Sequence, residues 1–253
     1  MSNYSFTYII AYKHSADRLQ NLRRVLDWIS GFANVETIIV EQDKHSKISH
    51  LSLKAKHIFT RSDLPFNKSH AFNVGTKHAN SNIIVFGDSD LIMDPNQFIA
   101  ALTSLNQYEM VNPYHTVIDL DQHESTLNLE QMIKISRPGR GETDIQKVPL
   151  CGGICLFRKD AIMKLAGWNE DFIGWGGEDD FQSFKVKSLL NYTELQAKCF
   201  HLYHERVQPD MKWYQRNLQI LQKTGNMDRS QLQKLILAQL PKIGMKNRYD
   251  NFV

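Results

Sequence analysis

Cysteine is scarce in this sequence. Only three of its 253 residues are cysteines, Cys151, Cys155 and Cys199, and no two of them form a C-x-x-C pair. An odd number with this spacing argues against structural disulfides and fits a reducing compartment.

Long apolar runs are also missing. No run approaches the ~20 residues needed to cross a bilayer. Residues 1–5 show neither the basic nor the apolar segment of a signal peptide. We therefore expect a soluble cytoplasmic protein, with peripheral membrane contact left open.

Charge of one sign is in short supply as well. The net charge is +3, with 42% hydrophobic and 23% charged residues, which is an ordinary globular composition. Such a small excess does not argue for a nucleic-acid partner. The sequence contains no internal repeat and no low-complexity tract.

Short apolar runs give the outline of the fold. They predict strands at residues 6–12, 36–41, 56–61 and 82–87. Between them, one helix begins at a cap of Ser15 or Asp17 and ends at Gly31, and another covers residues 69–79. This order predicts an α/β protein with a mostly parallel sheet, whose ligands would bind at the carboxyl ends of the strands.

The second half is less regular. Asp94-Pro95 begins a third helix, and residues 136–147 form a polar loop that could act as a lid. Further strands are predicted at 109–114, 152–158 and 198–204, with a short helix at 160–166. Two helices, at 210–223 and 230–240, end the pattern.

Asp88-x-Asp90 directly follows the fourth strand. On an extended backbone residues i and i+2 point the same way, so both carboxylates could share one cation. Oxygen ligands suit Mg²⁺ or Mn²⁺. The alternative is a plain polar turn after a strand, where Asp is common.

His201-x-x-His204 lies at the end of the last strand. The two imidazoles can bind one ion only if the strand has ended between them, because residues at odd offsets in a strand face opposite sides. One carboxylate with two imidazoles suits Mn²⁺ better than zinc, since no cysteine lies nearby. Alternatively, one histidine lies in the core and the other at the surface.

The run from Gly174 to Asp180 is the most unusual stretch. Trp175 sits among glycines, offering a flat apolar face on which a sugar can stack, and Glu178, Asp179 and Asp180 follow at once. Acids are also favoured in the first turn of a helix by its dipole, so a plain loop and helix start is the alternative.

Residues 61–75 are a polar passage into a helix. Asp63, Asn67, Lys68 and Asn73 could contact a nucleotide, or they could belong to a solvated loop and a capped helix.

Taken together, these motifs resemble those of GT-A glycosyltransferases, in the group of family 2 enzymes and β-1,4-galactosyltransferases that includes the bacterial chondroitin polymerases. The matching segments, in the family's order, are Ala11-Tyr12-Lys13 with Arg18, Phe66-Asn67-Lys68 with Asn73-Val74-Gly75, residues 85–90, Cys151-Gly152-Gly153, Gly167-Trp168-Asn169, residues 174–180, and His201 with His204. The resemblance spans residues 6 to about 206, and the Trp-Gly-Gly-Glu-Asp run is its most specific part.

The resemblance implies a metal site and a donor site. Asp90, His204 and His201, which stands where the animal enzymes have methionine, would bind Mn²⁺ or Mg²⁺. Donor contacts would come from Ala11, Tyr12, Arg18 and Asp43 at the uridine, Lys68 at the phosphates, and Asp88 near the ribose or sugar.

It also implies the acceptor side of the site. Trp175 would pack on both sugars, with Gly153, Gly176 and Gly177 lining the substrate cleft. Glu178 would bind a sugar hydroxyl and Asp179 would be the catalytic base. Related retaining enzymes carry Asn after the Glu, so Asp179 implies inversion.

The expected protein is thus a metal-dependent, inverting glycosyltransferase. Its donor would be a UDP-sugar of galactose or N-acetylhexosamine type, and its acceptor a glycan or lipid-linked saccharide, with no nucleic-acid partner. Residues 1–206 would be the catalytic domain, with a nucleotide-binding half to about 95 and an acceptor half to 206. Residues 207–253 would be a basic helical extension that touches an anionic membrane, binds a partner, or is simply solvated.

Two other hypotheses for the function are considered. A non-catalytic sugar- or nucleotide-binding domain of the same fold predicts losses among the acids and histidines, which are all present. A sugar-nucleotide hydrolase or nucleotidyltransferase commonly has a glycine-rich loop after the first strand, and residues 12–18 contain no glycine.

Overall fold

The computed structural model describes residues 4–142, 148–206 and 208–245. Its ten described strands are β1 (Phe6–Tyr12), β2 (Val35–Asp43), β3 (Lys56–Arg61), β4 (Ile83–Gly87), β5 (Leu91–Met93), β6 (Met110–Asn112), β7 (Thr116–Asp119), β8 (Cys155–Arg158), β9 (Tyr192–Glu194) and β10 (Lys198–His201). Its eight described α-helices are α1 (Ala16–Ser30), α2 (Lys68–His78), α3 (Pro95–Ser104), α4 (Leu129–Ile133), α5 (Lys159–Lys164), α6 (Glu178–Leu189), α7 (Met211–Gly225) and α8 (Arg229–Gln239).

Seven strands form one mixed sheet in the order β3-β2-β1-β4-β8-β6-β9. The first four run parallel to one another, β8 runs antiparallel to both of its neighbours, and β9 is parallel to β6. All seven residues of β1 are buried, as expected for a central strand covered on both faces. The predicted α/β class with a mostly parallel sheet is confirmed.

Helices on opposite faces of the sheet bury separate apolar clusters. Helix α1 contributes Leu22, Val25 and Ile29 to the cluster on one face. Helix α2 contributes Phe72 and Val74 to the cluster on the other. The central strands are thus fixed on both sides, and their carboxyl ends form a rigid edge.

A second sheet of three short strands, in the order β5-β10-β7, was not predicted. Strand β10 runs antiparallel to β5 and parallel to β7. In this register His201 is paired with both Leu91 and Asp119. The pairing of β10 with β5 therefore places His201 next to Leu91, the residue that follows Asp90.

The two helix starts for which a cap was predicted are confirmed. The Ser15 side chain accepts a hydrogen bond from the Arg18 N–H, so Ser15 caps α1 rather than Asp17. Asp94 caps α3, with Pro95 at its first position. Helix α6 begins after Gly177 (φ 91°) without a side-chain cap and has three acids in its first turn.

Several predicted strands are shorter than expected. Strand β8 begins at Cys155, three residues after the predicted start, because residues 152–154 form a tight turn. Strand β10 ends at His201 rather than at His204. The predicted lid at 136–142 is a loop, and residues 143–147 of that prediction lie outside the described residues.

The C-terminal helices pack on the sheet domain. Asn217 of α7 is buried, and its side-chain amide donates to the carbonyl oxygens of Ile173 (3.0 Å) and Trp175 (3.4 Å). Leu232 and Ile236 of α8 join the apolar cluster that contains α2. Among the described residues, no helix combines the length and apolar character needed to cross a membrane.

Candidate active site

The carboxyl ends of β1, β2 and β4 meet at one edge of the large sheet. Tyr12 ends β1, Asp43 ends β2, and Asp88 directly follows β4. Because these strands are parallel neighbours, the side chains that follow them collect at this edge.

Asp90 lies between two histidines at this edge. Its Oδ2 is 3.4 Å from Nε2 of His204, and its Oδ1 is 3.8 Å from Nε2 of His201. One ligand atom from each of the three residues lies within 4.8 Å of the others. The strand does end at His201, which is the condition for both imidazoles to reach one ion.

Hydrogen bonds orient both imidazoles toward Asp90. Nδ1 of His204 lies 2.9 Å from the carbonyl oxygen of Glu205, which only accepts, so Nδ1 carries the proton. Nδ1 of His201 lies 2.8 Å from a carboxylate oxygen of Asp119. In both rings Nε2 is left to bind a metal, the arrangement in which a second partner fixes the tautomer.

Asp119 is itself held in place. Its hydrogen bond to His201 lowers its pKa most, and Arg140 adds to this with contacts of 2.8 and 3.0 Å. An ionised Asp119 strengthens the basicity of the histidine that it contacts. The donor set of one buried carboxylate and two fixed imidazoles therefore fits a divalent cation such as Mn²⁺.

Lys68 joins three acids beside this cluster. Its Nζ lies 3.1 and 3.2 Å from the two Oδ atoms of Asp179, 3.3 Å from Asp88 and 3.8 Å from Glu178. Lys68 is the first residue of α2, and Glu178 and Asp179 are the first two residues of α6. The starts of these two helices therefore face each other across the sheet edge.

Burial and the neighbouring charges raise the pKa values of the acids Asp179 and Glu178 and of Lys68. Removal from water raises the pKa of Asp179 to about 8, against the opposing effect of the Lys68 ammonium. Burial likewise raises the pKa of Glu178. For Lys68, burial acts to lower the pKa, but the three neighbouring carboxylates outweigh it and hold the pKa well above its usual value.

One oxygen of Glu178 has a special position. Its Oε2 is buried and has no hydrogen-bond partner in the protein. A buried acceptor without a partner is costly, and a ligand hydroxyl would satisfy it.

The glycines of the site are required by close contacts. Gly153 has φ 76°, and a Cβ there would lie 2.2 Å from the Tyr114 hydroxyl. That hydroxyl donates to the carbonyl oxygen of Gly152 and accepts from the N–H of Ile154, which fixes the turn. A Cβ on Gly152 would lie 3.5 Å from Asp179, so the turn borders the acid group.

Trp175 is the most exposed aromatic residue described, at 66% of its surface. The flanking Gly174, Gly176 and Gly177 all have positive φ values, of 77°, 99° and 91°. These glycines allow the loop to present the indole to solvent just before the acids of α6.

The predicted uridine contacts lie at the same edge but are less open. Tyr12 is fully buried and Ala11 is 7% exposed, so neither residue presents an open surface to a ligand. Arg18 lies in the first turn of α1, where its charge acts on both Tyr12 and Asp90. Asp43 is half-buried, and its Oδ1 accepts from the N–H of Lys44 at 2.8 Å.

Two residues were missed in the sequence: Asp119, which contacts His201, and Tyr214, which contacts Trp175. Asp119 ends β7, a strand of four residues that is too short to stand out as an apolar run. Tyr214 of α7, whose ring centroid is 5.4 Å from that of Trp175, lies in a segment that matched no motif. Only the long-range pairing of these segments reveals either residue.

Two family models match this chain. A family model described as "Glycosyl transferase family 2" matches residues 8–166, and one described as "N-terminal domain of galactosyltransferase" matches residues 143–205. A search of the curated proteins gives no match.

Several solved structures share the fold. S. aureus TarS (residues 1–349) has a TM-score of 0.58 at 12% identity, covering 98% of this chain and 74% of that one. A mutant of Drosophila β1,4-galactosyltransferase 7 with manganese, UDP-Gal and xylobiose has a TM-score of 0.52 at 14% identity, covering 92% and 79%. Glucosyl-3-phosphoglycerate synthase of Mycobacterium tuberculosis with Mn²⁺, UDP and glucosyl-3-phosphoglycerate has a TM-score of 0.54 at 14% identity, covering 90% and 82%. At these identities the likeness establishes the GT-A fold.

Proposed function

This chain belongs to glycosyl transferase family 2, and on that premise we propose that it moves a sugar from a UDP-sugar to a hydroxyl of a glycan or lipid-linked saccharide. The proposed donor sugar is of galactose or N-acetylhexosamine type, the anomeric configuration is inverted, and the ion is Mn²⁺ or Mg²⁺. The observation that carries the proposal is the meeting of two groups at one sheet edge: Asp90 with two histidines, and Asp179 with Lys68.

The choice of UDP and manganese is supported by the similar structures. Those of Drosophila and M. tuberculosis hold manganese with UDP-Gal or UDP. A mannosyltransferase of Pyrobaculum calidifontis, 16% identical with a TM-score of 0.56 and covering 94% of this chain and 70% of that one, holds GDP-Man with Mn²⁺. All three complexes contain manganese, but their nucleotides differ, being UDP in two and GDP in one. The nucleotide that this chain uses therefore has to be determined by experiment.

In the proposed reaction, the bound ion would neutralise the leaving diphosphate. Asp90, His201 and His204 would hold it, and Lys68 would add positive charge on the side of the phosphates. The acceptor oxygen attacks the anomeric carbon as the bond from that carbon to the diphosphate oxygen breaks. UDP leaves with the electron pair of that bond.

Asp179 takes the acceptor proton in the same step. It must be ionised to do so, and the Lys68 ammonium at 3.1 Å favours the ionised form. The unpartnered Oε2 of Glu178 would accept a hydrogen bond from a sugar hydroxyl. A single base that forms no bond to the sugar gives one displacement, and therefore inversion.

The proposal also assigns the exposed surface of the C-terminal helices to an anionic membrane. Leu237 is 67% exposed, and Leu218 and Leu240 are each at least 40% exposed, among the basic residues of this segment. Because α7 and α8 pack on the domain, their removal would disturb the core. The test is instead liposome sedimentation of a Leu237→Ser/Leu240→Ser variant; binding equal to that of the unmodified chain contradicts this assignment.

The central test is a screen of UDP- and GDP-sugars, each with Mn²⁺ and with EDTA, that measures released nucleotide in the presence of mixed saccharide acceptors. We expect release from at least one UDP-sugar, dependent on the ion. Binding of a nucleotide sugar without any turnover would favour a non-catalytic domain of this fold.

A further inference from the structure

Helix α7 places a tyrosine against the exposed tryptophan of the glycine-flanked loop. The ring centroids of Trp175 and Tyr214 are 5.4 Å apart and their planes are inclined by 36°. Trp175 keeps 66% of its surface exposed although the tyrosine ring lies beside it. The two rings therefore lie in contact as an inclined pair, contributed by parts of the chain that lie about 40 residues apart.

Three contacts join the glycine-flanked loop to α7. A Cβ on Gly176 would lie 3.1 Å from the Tyr214 ring, so the glycine lets the tyrosine close on the loop. A Cβ on Gly174 would lie 3.3 Å from Cβ of Trp213. The buried amide of Asn217 binds the Trp175 carbonyl oxygen, which fixes the loop to the helix.

The loop that carries Trp175 borders the acid group. The N–H of Gly174 donates to the carbonyl oxygen of Phe66 at 2.9 Å, two residues before Lys68. On the other side of Trp175, the chain reaches Glu178 and Asp179 within four residues. A molecule whose hydroxyl lies at Asp179 would thus extend over Trp175 and toward α7.

From this arrangement we propose that Tyr214 extends the Trp175 face into a subsite for the acceptor saccharide, beyond the sugar that carries the reacting hydroxyl. The inference rests on the proposed function, because it takes Asp179 as the point where that hydroxyl lies. The flat apolar faces of pyranose rings pack on aromatic rings, and the inclined tyrosine beside the indole gives a further sugar a ring to pack on. The acceptor is therefore an oligosaccharide, and α7 is part of the substrate site.

The experiment measures binding of the labelled protein to an immobilised library of mono-, di- and trisaccharides. We compare the unmodified chain with Tyr214→Ala, Tyr214→Leu, which fills the space without an aromatic face, and Tyr214→Phe, which keeps the ring. Tyr192→Ala is the matched control, since Tyr192 is 37% exposed but begins β9, away from the carboxyl edge. Circular dichroism confirms that each variant is folded.

We expect stronger binding to some di- or trisaccharides than to their component monosaccharides. Loss of the aromatic ring should weaken that binding by about 2- to 10-fold, the range for one aromatic pair. Tyr214→Phe and Tyr192→Ala should bind like the unmodified chain. If Tyr214→Leu also binds like the unmodified chain, or if the unmodified chain prefers no longer saccharide, the subsite is refuted.

The outcome is separable from that of the proposed function. Binding that depends on Tyr214, with no turnover of any nucleotide sugar, would refute the enzyme and keep the subsite. Turnover with no effect of Tyr214 on saccharide binding would keep the enzyme and refute the subsite.

Discussion

The two groups at the sheet edge both hold acids in poorly solvated positions, but they balance the charge differently. Asp179 has a cation of the protein beside it, because Lys68 Nζ lies 3.1 Å away. Asp90 faces two imidazoles whose Nδ1 atoms are already bonded elsewhere. Burial raises the pKa of both acids. The first group can therefore store and release a proton, while the second has the donor atoms to bind a cation from solution.

A third region shows that burial alone does not mark a site. Lys185 of α6 is fully buried, and its Nζ donates to the carbonyl oxygens of Leu165 (3.1 Å) and Gly167. Burial lowers its pKa to about 7. It binds the backbone at the end of α5, whereas Lys68 meets acids at a cleft, so the partners and not the burial distinguish the two lysines.

Replacing Asp179, the proposed base, should have the largest effect. We expect Asp179→Asn to lower kcat by about 10²- to 10⁴-fold, the usual contribution of a general base, because an amide cannot take the acceptor proton. Binding of UDP with Mn²⁺, measured by calorimetry, should persist. Turnover like that of the unmodified chain would remove Asp179 from this role.

Weakening the ion site should have the next largest effect. We expect His204→Ala to raise the Mn²⁺ concentration for half-maximal activity at least about 10-fold, since even partners of metal ligands contribute 10- to 100-fold. Asp119→Asn, which only orients His201, should give a smaller shift in the same direction. His50→Ala, at an exposed loop position, is the control; an unchanged metal titration for His204→Ala would exclude it as a ligand.

Removing the cation beside the base should change the pH dependence. Activity should rise as Asp179 loses its proton, with the acid limb of kcat/KM near pH 8. We expect Lys68→Met to move this limb about 1 to 3 pH units upward, because the nearby positive charge that favours ionisation is gone. Lys68→Arg keeps the charge and should keep the limb near its original pH; no shift in Lys68→Met would show that the two side chains are not coupled.

The buried lysine away from the site should affect stability and not the mechanism. Between about pH 7 and 10 the unfolded amine binds more protons than the folded one, so Lys185 makes stability rise with pH in this window. We expect Lys185→Met to flatten that rise in urea unfolding curves. Lys187→Met, on the exposed face of the same helix, should leave the slope unchanged; an unaltered slope in both variants would contradict the lowered pKa of Lys185.

The elements that could be predicted from the sequence are those with a strong local signal. The central strands were visible because each is a continuous buried run, as in β1 and β4. Helix α3 was visible from its local signals, Asp94 and Pro95. Asp90 and the histidines could be named because their motifs lie at the ends of strands, although their meeting depends on the second sheet.

The elements and contacts that were not predicted depend on long-range pairing between segments whose local sequence signals are weak. Strands β5, β7 and β9 have only three or four residues each, too few to show a pattern. The sequence suggested Lys68 as a phosphate contact but could not show that it lies against Asp179, which is 111 residues away. The contact of Tyr214 with Trp175 likewise depends on how α7 packs. The division at residue 206 stays a prediction, with α7 and α8 in contact with the domain that precedes it.

The most direct test of the account is a crystal structure with Mn²⁺ and UDP, using anomalous scattering to locate the ion. The account predicts one strong peak bonded to Asp90, His201 and His204, with the diphosphate between this ion and Lys68. An ion bound elsewhere, or a diphosphate remote from Lys68 and Asp179, would contradict it.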